Sequence, residues 1–272
     1  MADVILCADL TASSHTYYLI DEDSKTVMSS RLSLSVEYQK NNPVDAMKIL
    51  AGFVDETQVT AVVYFAESNL VAEENLFLIF LDGFTSIPVT RLFAYDVLED
   101  IQGVTIADLR RGLTCMGGLA LSNNSKPTIV LSFGETTNID CIQTDYVRVE
   151  KVTLPPFGPH LQNALLEYPS HMNWDLGAAV DGDCVTVDRY FRIMRDTIVR
   201  GVQKFNLNAG QEYVLVITGD ALPLDQNDLF AALGVPMPFC QIIGYYSNLM
   251  VEGMYRFQSS TNNPKITDAV EL

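Results

Sequence analysis

Apolar and polar positions along this chain fall into short runs with two distinct periods. "VILCADL" is a continuous apolar run ending on an acid, "TASSH" is a polar turn, and "TYYLID" is a second apolar run. After the turn "EDS", "TVMSSRLSLSV" alternates apolar and polar like a half-buried strand. In "PVDAMKILAGFV" the period changes, and Val44, Met47, Leu50 and Val54 recur at helical spacing. "VTAVVYFAE" reads as a buried strand, "EENLFLIFLDGF" as a helix with Gly83 near its end, and "IPVTRLFA" as another strand. The first half therefore predicts the order β-β-β-α-β-α-β.

The second half predicts the same opening. "TIVLSFGETTNIDCIQ" is strand, turn, strand; "YVRVEKVTL" is a third strand; "GPHLQNALLEY" is a helix. "VTVDRYFRIMRDTIVRGVQKF" is the longest helix, with Phe191, Met194, Ile198 and Val202 on one face and Phe205 near its end. "EYVLVITGDAL" is a strand running into a glycine turn, "NDLFAALG" a short helix, and "QIIGYYSNLMVEGMYRF" a strand followed by a helix. The polar tail after Phe257 is expected to fray. Sliding "VILCADLTASSHTYYLI" by 123 residues lays it over "PTIVLSFGETTNIDCIQ". Asp9 then matches Ser132, Thr11 matches Gly134, Ser13 matches Thr136, and Ser14 matches Thr137. A repeat at about half the chain length implies two similar lobes. Two such turns facing each other across a cleft would offer backbone N–H donors to the phosphates of one nucleotide.

Composition narrows the function classes. The 272 residues carry 34 acidic and 17 basic side chains, a net charge of −17, which repels nucleic acid and anionic membrane. At 48% apolar the chain can build a substantial core. The 5 cysteines are widely spaced and include no Cys-x-x-Cys pair, which argues against a disulfide framework or a zinc site. Cys7 and Cys141 sit in strand-like runs and read as core residues. His15, His160 and His171 lack ligand spacing and read as structural. "MADVILCADL" has an acid at position 3 and no basic stretch, unlike a signal peptide. "NLFLIFLDGF" is too short to span a bilayer. A cytoplasmic protein with a small-molecule substrate, no nucleic acid and no membrane is expected.

The succession of the Asp9 hairpin, "IADLRRG", "SFGETTNID", "LPP", the long helix, "VITGD" and "YYSNLMVEGM" resembles the type III pantothenate kinases of the acetate/sugar kinase and actin superfamily. The resemblance runs over almost the whole chain. It implies an α/β fold of two ribonuclease-H-like (actin-like ATPase) lobes with a cleft between them, divided as residues 1–118 and 119–272. The family opens with D-x-G-N-T. Here that stretch is Asp9-Leu10-Thr11-Ala12-Ser13, which keeps the acid and the hydroxyl at Ser13 but replaces the glycine by Thr11. The family's G-A-D-R, a catalytic acid and a pantothenate-binding arginine, becomes Ile106-Ala107-Asp108-Leu109 with Arg110 and Arg111 following. A slip of one residue turns the arginine about 100° around a helix. D-F-G-T-A-T-T becomes Ser132-Phe133-Gly134-Glu135-Thr136-Thr137-Asn138, and the adenosine-side T-G-G becomes Thr218-Gly219-Asp220. "NLMVEGM" fits the family's closing L-x-x-E-G-L helix start.

By this resemblance Asp108 is the candidate general base, and Arg110 and Arg111 hold the substrate. Asp9, Ser13, Gly134, Thr136, Thr137, Thr218 and Gly219 contact the nucleotide. Asp9 and Glu135 are the candidate Mg²⁺ ligands, with ATP and a monovalent cation as further cofactors. The departures weaken that reading. A carboxylate at Glu135 about 4 Å from a phosphate oxygen would cost roughly 4 kcal/mol at an effective dielectric of about 20, about a thousandfold in affinity. Three functions follow: an ATP-dependent pantothenate kinase of coenzyme A synthesis, impaired alone; a non-catalytic relative acting as a regulatory or dimer-partner subunit; and a kinase of the same superfamily with another small-molecule substrate. The family habit, together with the apolar stripe and basic flank of residues 188–205, predicts a homodimer or a heterodimer with a related kinase chain through that helix.

Overall fold

The computed structural model describes residues 2–24, 26–54, 57–66, 77–82, 87–99, 106–122, 125–134, 136–142, 148–154, 187–205, 212–219, 222, 226–234, 240–259 and 266–267. Two compact units divide the chain: Met1–Gly117 with Met250–Ile266, and Gly118–Leu249 with Thr267–Leu272.

In the first unit, β1 (Ala2–Leu10), β2 (Ser14–Asp21) and β3 (Thr26–Ser35) form an antiparallel meander. Two helices follow, α1 (Val36–Asn41) and α2 (Pro43–Val54). Strand β4 (Thr57–Ala66) then returns parallel to β1, and β5 (Val89–Arg91) lies parallel to β4. The sheet order is β3-β2-β1-β4-β5. Ser35 starts α1 by accepting a hydrogen bond from the Tyr38 N–H at 3.1 Å, a cap that satisfies one of the helix's orphan donors. Val4, Leu6, Ala8 and Leu10 alternate onto the buried face with Tyr17, Leu50 and Phe77. His15 is buried, with Nδ1 3.1 Å from the Gln39 side-chain oxygen. Residues 77–82 are helical, in line with the expected helix there; its remaining residues, Gly83 among them, lie outside the described set.

After the two-residue strand β6 (Leu98–Glu99), helix α3 (Ile106–Leu121) carries the chain from the first unit to the second between Gly117 and Gly118. The second unit repeats the plan. Strands β7 (Thr128–Phe133), β8 (Thr137–Ile142) and β9 (Arg148–Leu154) form the antiparallel meander. Helix α4 (Val187–Gln203) follows, then β10 (Tyr213–Gly219) parallel to β7, α5 (Gln226–Gly234) and β11 (Cys240–Tyr245) parallel to β10. The order β11-β10-β7-β8-β9 matches that of the first sheet strand for strand. Helix α6 (Leu249–Ser259) brings the chain back to the first unit between Leu249 and Met250. The chain therefore crosses between the units at Gly117/Gly118, at Leu249/Met250 and again at Ile266/Thr267. Gly253 of α6 lies so close to α3 that a Cβ placed on it would stand 1.9 Å from the Leu113 carbonyl oxygen.

The hairpins show the repeat with one adjustment. Leu10 faces His15 across β1 and β2, but Phe133 faces Thr137 across β7 and β8. Shifted by 123, the first pair would have put Asn138 opposite Phe133, so the second turn is one residue shorter. The structural counterpart of Thr137 is thus His15 rather than Ser14, and both are fully buried.

Two faces differ from expectation. On α2 the buried row is Ala46, Leu50 and Val54, while Val44 and Met47 are 63% and 42% exposed. The small Ala46 lets the helix lie close to the sheet, and the i, i+4 row replaces the wider stripe. On α4, Met194, Ile198, Val202 and Phe205 do share a face, but that face is buried against Ile139, Leu215 and Ile217 of the unit's own sheet. The stripe expected to pair subunits is spent inside the chain. In the basic flank, Arg195 bonds its neighbour Asp196 at 2.8 Å. The expected helix "GPHLQNALLEY" lies outside the described residues. No helix among the described residues is long and apolar enough to cross a membrane.

Candidate phosphate-binding turns

The first turn joins β1 to β2 through Thr11, Ala12 and Ser13, and Thr11 organises it. Its hydroxyl accepts from the Ser14 N–H at 3.0 Å and the Ser13 N–H at 3.3 Å, and donates to the Ser14 carbonyl at 2.7 Å. The Thr11 N–H reaches the same carbonyl at 2.9 Å. A threonine hydroxyl offers two acceptor sites and one donor, and this one uses all three within the turn. Two N–H groups that could be aimed at an anion are thereby turned onto a side chain that the family's glycine lacks. Ser13 stands exposed beside them.

Asp9 closes β1, and helix α3 supplies its partner. Arg110 donates from Nη2 to Asp9 Oδ1 at 2.6 Å and from Nε to Oδ2 at 3.3 Å. This two-point geometry makes an arginine–carboxylate pair strong and directional. The guanidinium lies 5.2 Å from the centre of the Phe65 ring, a cation–π distance. The pair is partly shielded: the Arg110 and Asp9 side chains are 28% and 15% exposed. Arg110, the expected substrate residue, is paired with Asp9 here, and Arg111 beside it is half-buried. Asp108 occupies the first turn of α3, and its side chain lies outside the described set. So does Glu135, the other proposed metal ligand. Among the described residues no three His, Cys, Asp or Glu side chains gather as a metal-binding cluster. With both Asp9 oxygens held by a guanidinium, this turn does not fit a metal ion.

In the second unit the Gly134 N–H bonds the Thr136 carbonyl at 3.1 Å and closes the shorter turn. Thr136 is exposed, and its hydroxyl accepts from Asn138 Nδ2 at 3.3 Å. Thr137 is fully buried. Ser132 pairs across the sheet with Thr218, and Phe133 with Gly219. Thr218 is also buried, and its hydroxyl donates to the Tyr246 carbonyl at 2.6 Å. Gly219 has φ +115° and receives the Tyr245 hydroxyl on its carbonyl at 2.6 Å. A Cβ on Gly219 would stand 1.9 Å from the Phe133 carbonyl oxygen, so glycine is required by both space and backbone angle.

The duplicated sheet, with strand 2 antiparallel and strands 1, 4 and 5 parallel, decides the fold. The chain has the actin-like ATPase fold. It is similar to a ROK family protein from Streptococcus pneumoniae solved in complex with sucrose, at 10% identity, covering 93% of this chain and 96% of that one, with a TM-score of 0.52. Ethanolamine utilization protein EutJ from Carboxydothermus hydrogenoformans matches at 13% identity over 92% of this chain and 88% of that one, with a TM-score of 0.47. A propionate kinase from Francisella tularensis matches at 9% over 93% and 98%, with a TM-score of 0.47. No family model and no curated protein matches the sequence. The residues just described lie at the ends of β1, β7 and β10. The sequence places turns after β1 and β7, where the structure has them, while the residues directly after Gly219 lie outside the described set. Sequence reasoning missed the bonds that fill the first turn, although Thr-x-Ser-Ser is a side-chain-closed turn signature.

Proposed function

We propose that this chain is a type III pantothenate kinase-like protein whose first nucleotide turn is closed on itself. Alone, it phosphorylates pantothenate from MgATP weakly or not at all, and it serves in the cytoplasm as a regulatory or dimer-partner subunit for a related kinase chain of coenzyme A synthesis. The observation that carries this reading is the Thr11 hydroxyl holding the Ser13 and Ser14 N–H groups. Phosphoryl transfer depends almost wholly on positioning and electrostatic stabilisation of the phosphates, so a turn that offers its donors elsewhere gives up the binding on which catalysis rests. Breaking two internal hydrogen bonds costs about 2 kcal/mol, which is about thirtyfold in affinity. The carboxylate at Glu135 adds to that deficit in the same direction.

The test is calorimetric. Thr11→Gly removes the hydroxyl and should tighten MgATP binding by about tenfold or more, while Asp108→Asn should leave binding nearly unchanged. Unaltered weak binding in a folded Thr11→Gly protein would mean that the closed turn is not the cause of the deficit.

A further inference from the structure

We infer that Arg110 has taken the place of the metal ion at Asp9, so that this end of β1 is a cation site permanently filled by the chain's own guanidinium. The inference rests on reading the β1–β2 turn as a former nucleotide turn. Three observations carry it. Both carboxylate oxygens of Asp9 receive an N–H from the same guanidinium, at 2.6 and 3.3 Å. The guanidinium is fixed on its other side by the Phe65 ring, 5.2 Å away. Its helix is fixed in turn by the close approach of Gly253 to Leu113, one turn further along α3. A guanidinium cannot lose its charge at any ordinary pH and is more weakly hydrated than a compact ion. It therefore stays in a half-buried position at little desolvation cost, where a divalent cation would have to shed water. The one-residue slip that moves the arginine from position 109 to 110 is what turns it toward β1.

The consequence is that divalent metal finds no open carboxylate at Asp9 in the wild-type chain. Replacing Arg110 frees a carboxylate site that metal can fill. Arg110→Met keeps an apolar stem over Phe65 and removes the charge. In about 10 mM MnCl2, a millimolar site would stabilise the folded state enough to read in a melt. The expected result is that Mn²⁺ leaves the wild-type melting temperature unchanged within about 1 °C and raises that of Arg110→Met by about 2–4 °C. The Asp9→Asn/Arg110→Met double variant should not respond. If Arg110→Met does not fold in chelator, recovery of its circular dichroism on adding Mn²⁺ gives the same readout. Equal stabilisation of wild type and Arg110→Met, or no response in Arg110→Met, would overturn the inference. Tight MgATP binding by a wild type that melts independently of Mn²⁺ would overturn the functional reading and leave this inference standing.

Discussion

Two glycine-to-alanine substitutions should move stability in opposite directions. Gly253 and Gly52 both lie inside helices, α6 and α2. In an isolated helix, alanine is favoured over glycine by about 0.8–1.0 kcal/mol. At Gly52 nothing lies within 4 Å of a new Cβ, so that gain is realised and Gly52→Ala should stabilise the protein by about 0.5–1 kcal/mol. At Gly253 the Cβ would meet the Leu113 carbonyl oxygen at 1.9 Å, its carbon at 2.7 Å and its Cα at 3.1 Å. These are backbone atoms of α3 and cannot rotate away, so the two helices must separate by more than an ångström. Forcing extra atoms into packed structure costs about 1–3 kcal/mol and sometimes more. With backbone atoms in the way the cost lies at the upper end, about 3 kcal/mol, and against a propensity gain of about 1 kcal/mol the net loss at Gly253 should be about 2 kcal/mol. Thermal melts followed by circular dichroism suffice, since 1 kcal/mol shifts the midpoint by about 2–4 °C in a protein of this size. A rise at both positions would refute the close crossing of α3 and α6, and with it the physical reason for glycine in the "NLMVEGM" motif.

Gly219→Ala should destabilise by more than about 2 kcal/mol, combining a left-handed backbone worth about 1–2 kcal/mol with the clash against Phe133. Tyr245→Phe, which removes only the bond to the Gly219 carbonyl, should cost about 1 kcal/mol, and equal losses in the two melts would contradict the geometry. Alkaline pH should destabilise the fold. Burial pushes the Cys240 thiol and the Tyr213 hydroxyl each up to about 12, from ordinary values of 9.0 and 10.0. Both groups bind their protons more tightly when folded, so their contribution is complete below about pH 9 and is lost as pH rises through 12. Melting temperatures should fall steadily between those limits, and a flat profile would refute the burial. For the same reason Cys240 should react with iodoacetamide at pH 8.5 more slowly than free cysteine does.

Local patterns carried much of the fold. The runs that became β1, β7 and β10 are bounded by turn residues, and the period-2 and helical segments fall where the elements form. The 123-residue echo reports the duplicated strand-turn-strand opening of the two units. Faces were harder to read. Hydrophobicity alone favoured Val44 and Met47 over Ala46, because it cannot see that a small residue allows close approach to a sheet. The stripe of α4 was legible, but its partner was not: Met194 and Ile198 look the same whether they meet another chain or the strand carrying Ile139. The Asp9–Arg110 pair joins residues 101 apart in sequence, and no local pattern reports such a pairing. A slip of one position in a motif changes the direction of a helical side chain by about 100°, and only a fold shows where the new direction leads. Thr11 is the opposite case, since the bonds it makes are all within three residues and follow from turn chemistry.

The proposed closure of the first turn of this actin-like fold to the phosphates of a nucleotide is open to direct measurement. Calorimetric titration of the wild-type chain with MgATP tests it most directly. The expected dissociation constant is about 1 mM or weaker, corresponding to no more than about 4 kcal/mol of binding free energy. Saturable binding in the low micromolar range, strengthened by Mg²⁺ and weakened by Asp9→Asn, would contradict it and show an open, metal-using turn in a working kinase.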